Sequence, residues 1–304
     1  MHEPMIIIDA HSHLWLRQDT IVDGQPIRTT TRGRSLFFGN EVQMLPPFLI
    51  DGRNSAEVFL SNMDYAQVSA AVVVQEVIDG LQNDYLQEVQ RKYPDRFVCC
   101  GMVDFSRSDI LAQTTALLAR GFRALAIPAH RLHTPLNDPT MMQMFRLMEQ
   151  QGILLSICLA DDARQIGEMR EVISECPALK VAVGHFGMAT GTCWHEQIRL
   201  AEAPNVYIES GGITWLYNSE FYPYPSAMRA IREAADTVGI DHLMWGSDYP
   251  RTITAITYRM SYDFVLRSTL LTDDEKADFL GGNAQRFYGI TSPLSLPYIK
   301  NMSE

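Results

Sequence analysis

No two cysteines of this 304-residue chain stand in a CxxC pattern. There are five, an odd number: Cys99, Cys100, Cys158, Cys176 and Cys193, the first two adjacent within an apolar run. That argues against a disulfide framework and predicts reduced thiols in a cytoplasmic protein. Long apolar runs are also lacking. None approaches the roughly 18 residues that cross a bilayer. The N-terminal apolar stretch is broken by Asp9 after four residues, without a basic region ahead of it, so no leader is expected. Positive charge is short: 25 Lys and Arg against 36 Asp and Glu leave a net charge of −11 and a pI of about 5.2. Nucleic acid and anionic membrane are therefore not expected as partners. A small-molecule substrate is expected, and an anionic one remains compatible, because a metal or an arginine can dominate a site. Finally, no GxGxxG follows the first apolar run, which removes the signature of an open dinucleotide-binding sheet.

What is present is a regular alternation. Hydrophobic residues make up 46% of the chain, ample for a large core. Eight apolar runs read as buried strands: residues 5–8, 69–77, 97–103, 121–127, 152–159, 179–185, 205–210 and 242–248. Between them lie helical patterns over 55–66, 81–93, 106–120, 139–150, 161–176, 192–201 and 226–238. Ser106 with Asp109 predicts a cap for the third of these. Thr272 with Glu275 predicts a capping box for a helix to residue 280, and Asn283 a cap for a last short helix. Eight strands alternating with helices predict an α/β protein, a single (β/α)8 TIM barrel spanning residues 1–304. The one long connection, residues 16–54, reads as a polar, irregular insertion after strand 1. It is expected to be a lid or pocket wall, or else a surface excursion in which Phe37, Phe38, Leu45 and Phe48 serve stability.

In such a barrel the chemistry sits where strands end. After the first run Asp9, His11 and His13 follow at spacing two, which predicts three side chains on one face of the strand. The other strand ends offer Gln75 and Glu76, then His130 and His133 just beyond the fourth, Cys158, His185, Glu209 and Asp248. Imidazole, thiolate and carboxylate are zinc-type ligands. Each residue also has a structural reading: Asp248 as a cap, His185 as a core histidine, Cys158 as a small core residue, Glu209 as half of a buried ion pair. His130 and His133 can be solvated loop residues, and His2, His195 and His242 are read as structural. The joint placement of His11, His13, His185 and Asp248 at strand ends favours a site. A metal there would acidify its water and polarise a carbonyl, with Asp248 as proton acceptor and His185 as acid or orienting group. Arg131 and Arg251 could meet a substrate carboxylate, alongside His130 and His133.

Four segments in order, DAHSHLW (9–15), VGHFG (183–187), LMWGSDYP (243–250) and NAQRFYGI (283–290), resemble the amidohydrolase superfamily, in particular its amidohydrolase-related branch of lactonases and decarboxylases. The resemblance covers nearly the whole chain. It implies a (β/α)8 barrel, His11 and His13 as metal ligands, His185 as the acid or orienting histidine, Asp248 as base or ligand, and often pairing into homodimers. Decarboxylase-like members carry a ligand histidine at the end of the fifth strand, where GILLSICLADDA (152–163) places Cys158. That departure is similar to sugar-lactone and pyrone-dicarboxylate lactonases, in which metal is sometimes dispensable. MDYAQVSAAVVVQ (63–75) and YPDRFVCCGMVD (93–104) instead resemble decarboxylases and hydratases. The expectation is a lactonase acting on a small polar or carboxylated lactone, with zinc or manganese weakly held or dispensable. The alternatives are a metal-dependent non-oxidative decarboxylase or hydratase of an unsaturated or aromatic acid, and a non-catalytic binding barrel. Cys158 and Glu209 remain candidate ligands.

Overall fold

The computed structural model describes residues 5–300 and 302. His2 lies outside them. Each of the eight expected strand segments contains or adjoins one strand of a parallel sheet: β1 (Ile8–Ser12), β6 (Ala70–Val73), β7 (Phe97–Gly101), β8 (Ala124–Ile127), β9 (Leu154–Ile157), β10 (Val181–Val183), β11 (Val206–Glu209) and β12 (Leu243–Met244). They pair in chain order. The ring closes through backbone bonds between the ends of the first and last strands. Ala10 N–H donates to Trp245 O (2.9 Å), Asp248 N–H to His11 O (2.9 Å) and His13 N–H to Tyr249 O (2.7 Å).

Strand alternation sorts the apolar residues into two layers. Ile8, Ala10, Ala70, Val72, Ala124, Ala126, Ala182 and Met244 fill the barrel interior, whose cluster also takes in Phe287 and Tyr288 of the last helix. The alternate residues, among them Ala71, Val73, Leu125, Ile127, Val181 and Ile208, pack against the helices. Those helices are α1 (Ala56–Tyr65), α2 (Asn83–Lys92), α3 (Ile110–Ala119), α4 (Pro139–Gln150), α5 (Ala163–Glu175), α6 (Trp194–Ile198), α7 (Ile213–Leu216), α8 (Pro225–Val238), α9 (Met260–Arg267), α10 (Asp273–Ala277) and α11 (Asn283–Tyr288).

Four expectations need correction. Asp9 does not share a face with His11 and His13. Between Asp9↔Ala71 and Ser12↔Val73 the first strand uses one residue more than its neighbour, a bulge that reverses the alternation. The Asp9 carboxylate accepts instead from Ser247 N–H (2.8 Å), Ser247 Oγ (2.5 Å) and Tyr258 OH (2.7 Å). The insertion is not irregular. It contains an antiparallel sheet of β2 (Asp19–Val22), β3 (Gln25–Thr29), β4 (Arg34–Phe37) and β5 (Asn40–Gln43). Its two outer hairpins turn at Asp23-Gly24 and Phe38-Gly39, all four residues at positive φ, the conformation that matches strand twist in a two-residue turn. Ser106 does not cap α3. Its hydroxyl and N–H both donate to Asp104 (2.6 and 3.0 Å), and the helix begins after Asp109 without a side-chain cap. Asn283 does not cap α11 either. Its amide donates to Ile240 O and Leu243 O (2.7 Å each), tying the last helix to β12. The capping box of Thr272 and Glu275 is present as expected.

All five cysteines are free, and no helix among the described residues is long and apolar enough to cross a membrane.

Candidate active site

The closure of the barrel brings the first-strand histidines to the last-strand aspartate. His11 Nε2 lies 3.1 Å from His13 Nε2 and 3.7 Å from Asp248 Oδ1, and His13 Nε2 is 3.0 Å from the same oxygen. All three residues are buried. Asp248 holds its place at a φ of +58°, a region that non-glycine residues seldom occupy and that recurs at functional sites.

Second partners decide what the central atoms offer. Glu209 Oε1 receives His11 Nδ1–H at 2.6 Å, while its carboxylate also accepts from the backbone N–H groups of Gly211 (2.5 Å) and His185 (3.3 Å). The Nδ1–H therefore leaves a bare lone pair on His11 Nε2. Burial, then the neighbouring His13, pulls His11 down to about 3, so it is neutral at pH 7. Burial pushes Glu209 up to about 7. His185 is fixed in the same manner. Its Nδ1–H donates to Gly211 O at 2.9 Å, its ring sits 4.7 Å from that of His11, and burial lowers it to about 4. Burial works against the Asp248 carboxylate, but the charge of Arg251 and the bond from His13 outweigh it and hold the group far below the usual range. Glycine makes the room. A Cβ on Gly211 would fall 2.6 Å from His11 Cγ, and one on Gly246 2.7 Å from His11 Cβ.

Three donor atoms thus press together with few protons to share. His13 Nδ1 faces Asp79 Oδ2 at 3.5 Å, and both atoms are buried without a hydrogen-bond partner. A cluster of two imidazole nitrogens and a carboxylate oxygen, within 4.8 Å of one another, fits a divalent cation of the zinc type.

The other expected residues lie around this centre. Cys158 lines a narrow cavity with Ser156, Glu76, His13, His185 and Arg251, and is not one of the three converging donors. Glu209 stands behind His11. Arg251 lies 3.9 Å from Asp248 Oδ1 through Nη1 and 3.9 Å from Asp79 Oδ1 through Nη2, and Nη2 makes no hydrogen bond. His130 and Arg131 both engage Glu76, at 3.1 Å each. His133 is exposed, pairs with Asp23 of the insertion and lines an outer groove of about 590 Å³.

Two residues escaped the sequence reading. Trp215 donates from Nε1 to Asp248 Oδ2 at 2.8 Å and meets the His185 ring edge-on. Asp79 stands behind His13. The GGITW and EVID stretches that follow the seventh and second strands were the available signals, since both fall on the rim where the strands end.

A parallel barrel with a polar centre at its strand ends is the architecture of the amidohydrolase superfamily of enzymes. The chain matches the Amidohydrolase family profile over residues 8–290 and belongs to that family. It is 27% identical to an L-fucono-1,5-lactonase of Burkholderia ambifaria, in an alignment covering 94% of this chain and 96% of that one. Solved structures share the fold. One is a probable 2-pyrone-4,6-dicarboxylic acid hydrolase from Acinetobacter baumannii with citric acid bound (TM-score 0.71, 19% identity, 94% of this chain and 100% of that chain). Another is an amidohydrolase from Burkholderia multivorans with bound zinc (0.71, 17%, 93% and 99%). A third is a 5-carboxyvanillate decarboxylase from Novosphingobium aromaticivorans with bound manganese (0.59, 18%, 80% and 84%).

Proposed function

We propose that the protein is a lactonase that opens a small polar or carboxylated lactone, and that His11, His13 and Asp248 hold a zinc or manganese ion. The observation that carries this reading is the convergence of three buried donor atoms, two of them imidazole nitrogens, at the closure of the barrel. The full-length likeness to an L-fucono-1,5-lactonase supports the choice of reaction. When bound, such an ion supplies Lewis-acid polarisation of a carbonyl and acidifies water.

The chain's own groups do the rest. Asp248 is ionised at neutral pH and accepts the proton of the attacking water. The water oxygen forms a bond to the carbonyl carbon, the ring C–O bond breaks, and the proton held by Asp248 passes to the leaving alkoxide, giving a hydroxy acid. Trp215 fixes one carboxylate oxygen so that the other faces the reaction. His185, neutral and with Nδ1–H spent on Gly211 O, presents Nε2 as an acceptor that orients a substrate hydroxyl. Arg251, with a guanidinium nitrogen to spare, holds a carboxylate or the ring oxygens. His130 and Arg131 shape the rim through Glu76, His133 belongs to the outer groove, and Cys158 and Glu209 support the cavity. The whole chain works as one barrel, with residues 16–54 as pocket wall.

Protein loaded with zinc or manganese should release acid from a panel of sugar and carboxylated lactones in weak buffer, and Asp248→Asn should abolish this. Carbon dioxide release from aromatic or unsaturated acids, without lactone opening, would replace the reading with a decarboxylase. Thermal stabilisation by ligands without turnover of either panel would leave a binding barrel.

A further inference from the structure

The end of the barrel opposite the strand-end centre holds a cavity of about 730 Å³. It opens where β7 to β10 begin and where α11 ends. Five cations line it: Arg91 near the end of α2, Arg120 and Arg123 ahead of β8, Lys180 ahead of β10, and Arg286 on α11. One carboxylate, Asp95, stands among them. Two of the five are braced. Arg120 Nη2 donates to Asp84 Oδ1 (2.7 Å) and Gln87 Oε1 (3.0 Å), and Gln87 Nε2 donates back to Arg120 O (2.8 Å). Arg286 Nη2 donates to Asp278 Oδ1 (2.8 Å) and to Asn283. Arg91, Arg123 and Lys180 have no carboxylate partner among the described residues; the Lys180 ammonium lies over the Phe287 ring, 6.0 Å from its centroid.

Five cations against Asp84, Asp95 and Asp278 leave positive charge in excess here, in a chain whose net charge is −11. Like charges gathered on one concave wall repel, and the fold gains nothing by it. The reaction of such a barrel takes place at its other face. We propose that this cavity is a second binding site, for a small polyanion with two or more phosphate or carboxylate groups. Arg120 and Arg286, held by their partners, are preset donors, and guanidinium groups meet phosphate and carboxylate oxygens two at a time. Arg91, Arg123 and Lys180 supply the charge that nothing else neutralises. Val98, Leu154, Phe287 and Ile290 give the same cavity an apolar side, against which a carbon skeleton packs. Its volume is that of small-molecule sites in general, roughly 300–1,000 Å³. None of the residues proposed for lactone opening takes part, so the two readings stand or fall separately.

Titration calorimetry at low ionic strength, with sodium pyrophosphate and sodium citrate as separate probes, should show saturable binding of at least one of them to the wild type. Pyrophosphate alone would mark a phosphate ester as the natural occupant, citrate alone a polycarboxylate. Arg123→Gln combined with Lys180→Gln should weaken binding roughly tenfold or more. Both side chains are exposed, so the circular dichroism spectrum should not change. Arg251→Gln, which removes a cation of the strand-end centre, should bind within about twofold of the wild type. No binding of either probe, or heat that sodium chloride of equal ionic strength reproduces, would overturn the proposal. Unchanged binding in the double variant would overturn it too, and loss in Arg251→Gln would then put the anion at the strand ends. Equal loss in both would assign the effect to overall charge and not to this cavity.

Discussion

Trp215 and Asp248 are joined by a 2.8 Å hydrogen bond from indole to carboxylate, across the gap between α7 and the end of the last strand. The bond fixes which Asp248 oxygen is left for the centre. A hydrogen bond to a charged group is worth about 1.5–3 kcal/mol. Trp215→Phe should therefore lower kcat on an accepted lactone by roughly 10–100-fold with a smaller change in KM. Gly212→Ala should act in the same direction, because its φ is +73° and a Cβ there would fall 1.8 Å from Trp215 Nε1. Steady-state kinetics of the two variants should move together.

Gly211→Ala places a methyl group 2.6 Å from His11 Cγ and 2.8 Å from Glu209 Oε2. The imidazole has to shift, while the strands that frame it do not. Metal content after zinc loading should drop well below one ion per chain at an unchanged circular dichroism spectrum. Stoichiometric zinc in this variant would show that the His11 cradle tolerates a side chain.

Glu76 gives a pH dependence with a definite sign. Burial pushes its carboxyl up, but the His130 hydrogen bond and the charges of His130, Arg131 and Arg251 outweigh it and hold the group down at about 2, against 4.5 unfolded. Asp79 is the like charge that faces it. A depressed acid stabilises the fold above its unfolded value and loses that contribution as pH falls from 4.5 toward 2. The contribution is on the order of 3 kcal/mol, at about 1.4 kcal/mol per unit. The fall in Tm between pH 6 and pH 3.5 should be shallower in Glu76→Gln than in the wild type.

Phe59 of α1 stacks on Tyr249 at 3.9 Å between ring centroids, and both are fully buried. Phe59→Ala should cost about 3–5 kcal/mol in denaturant unfolding. Because Tyr249 follows Asp248 directly and accepts the His13 N–H, residual activity should fall further than the folded fraction alone explains.

The barrel was legible because its eight strands are continuous apolar runs, each buried on both faces, and because chain order and spatial order coincide. His11, His13, His185 and Asp248 were legible because each closes such a run. Asp9 was misread because strict alternation assumes an unbulged strand, and one extra residue turns its carboxylate to Ser247 and Tyr258. The insertion was read as irregular although Asp23-Gly24 is a strong hairpin signal; its short, half-exposed strands lack the apolar runs that marked the barrel. Asp79 and Trp215 gain their meaning from Gln18, His13 and Asp248, partners remote in the chain, which no local pattern encodes.

The seam between the first and last strands also bears on biosynthesis. Both histidines leave the ribosome early, but Asp248 and the carbonyl of Tyr249 that receives the His13 N–H follow all eight barrel strands in the chain. A nascent or truncated chain can carry the HxH segment without the cluster. With His11, His13 and Asp248 as the proposed ligands, metal capture would report on a finished ring, and a chain cut before Asp248 should not retain zinc however much of the barrel it has built.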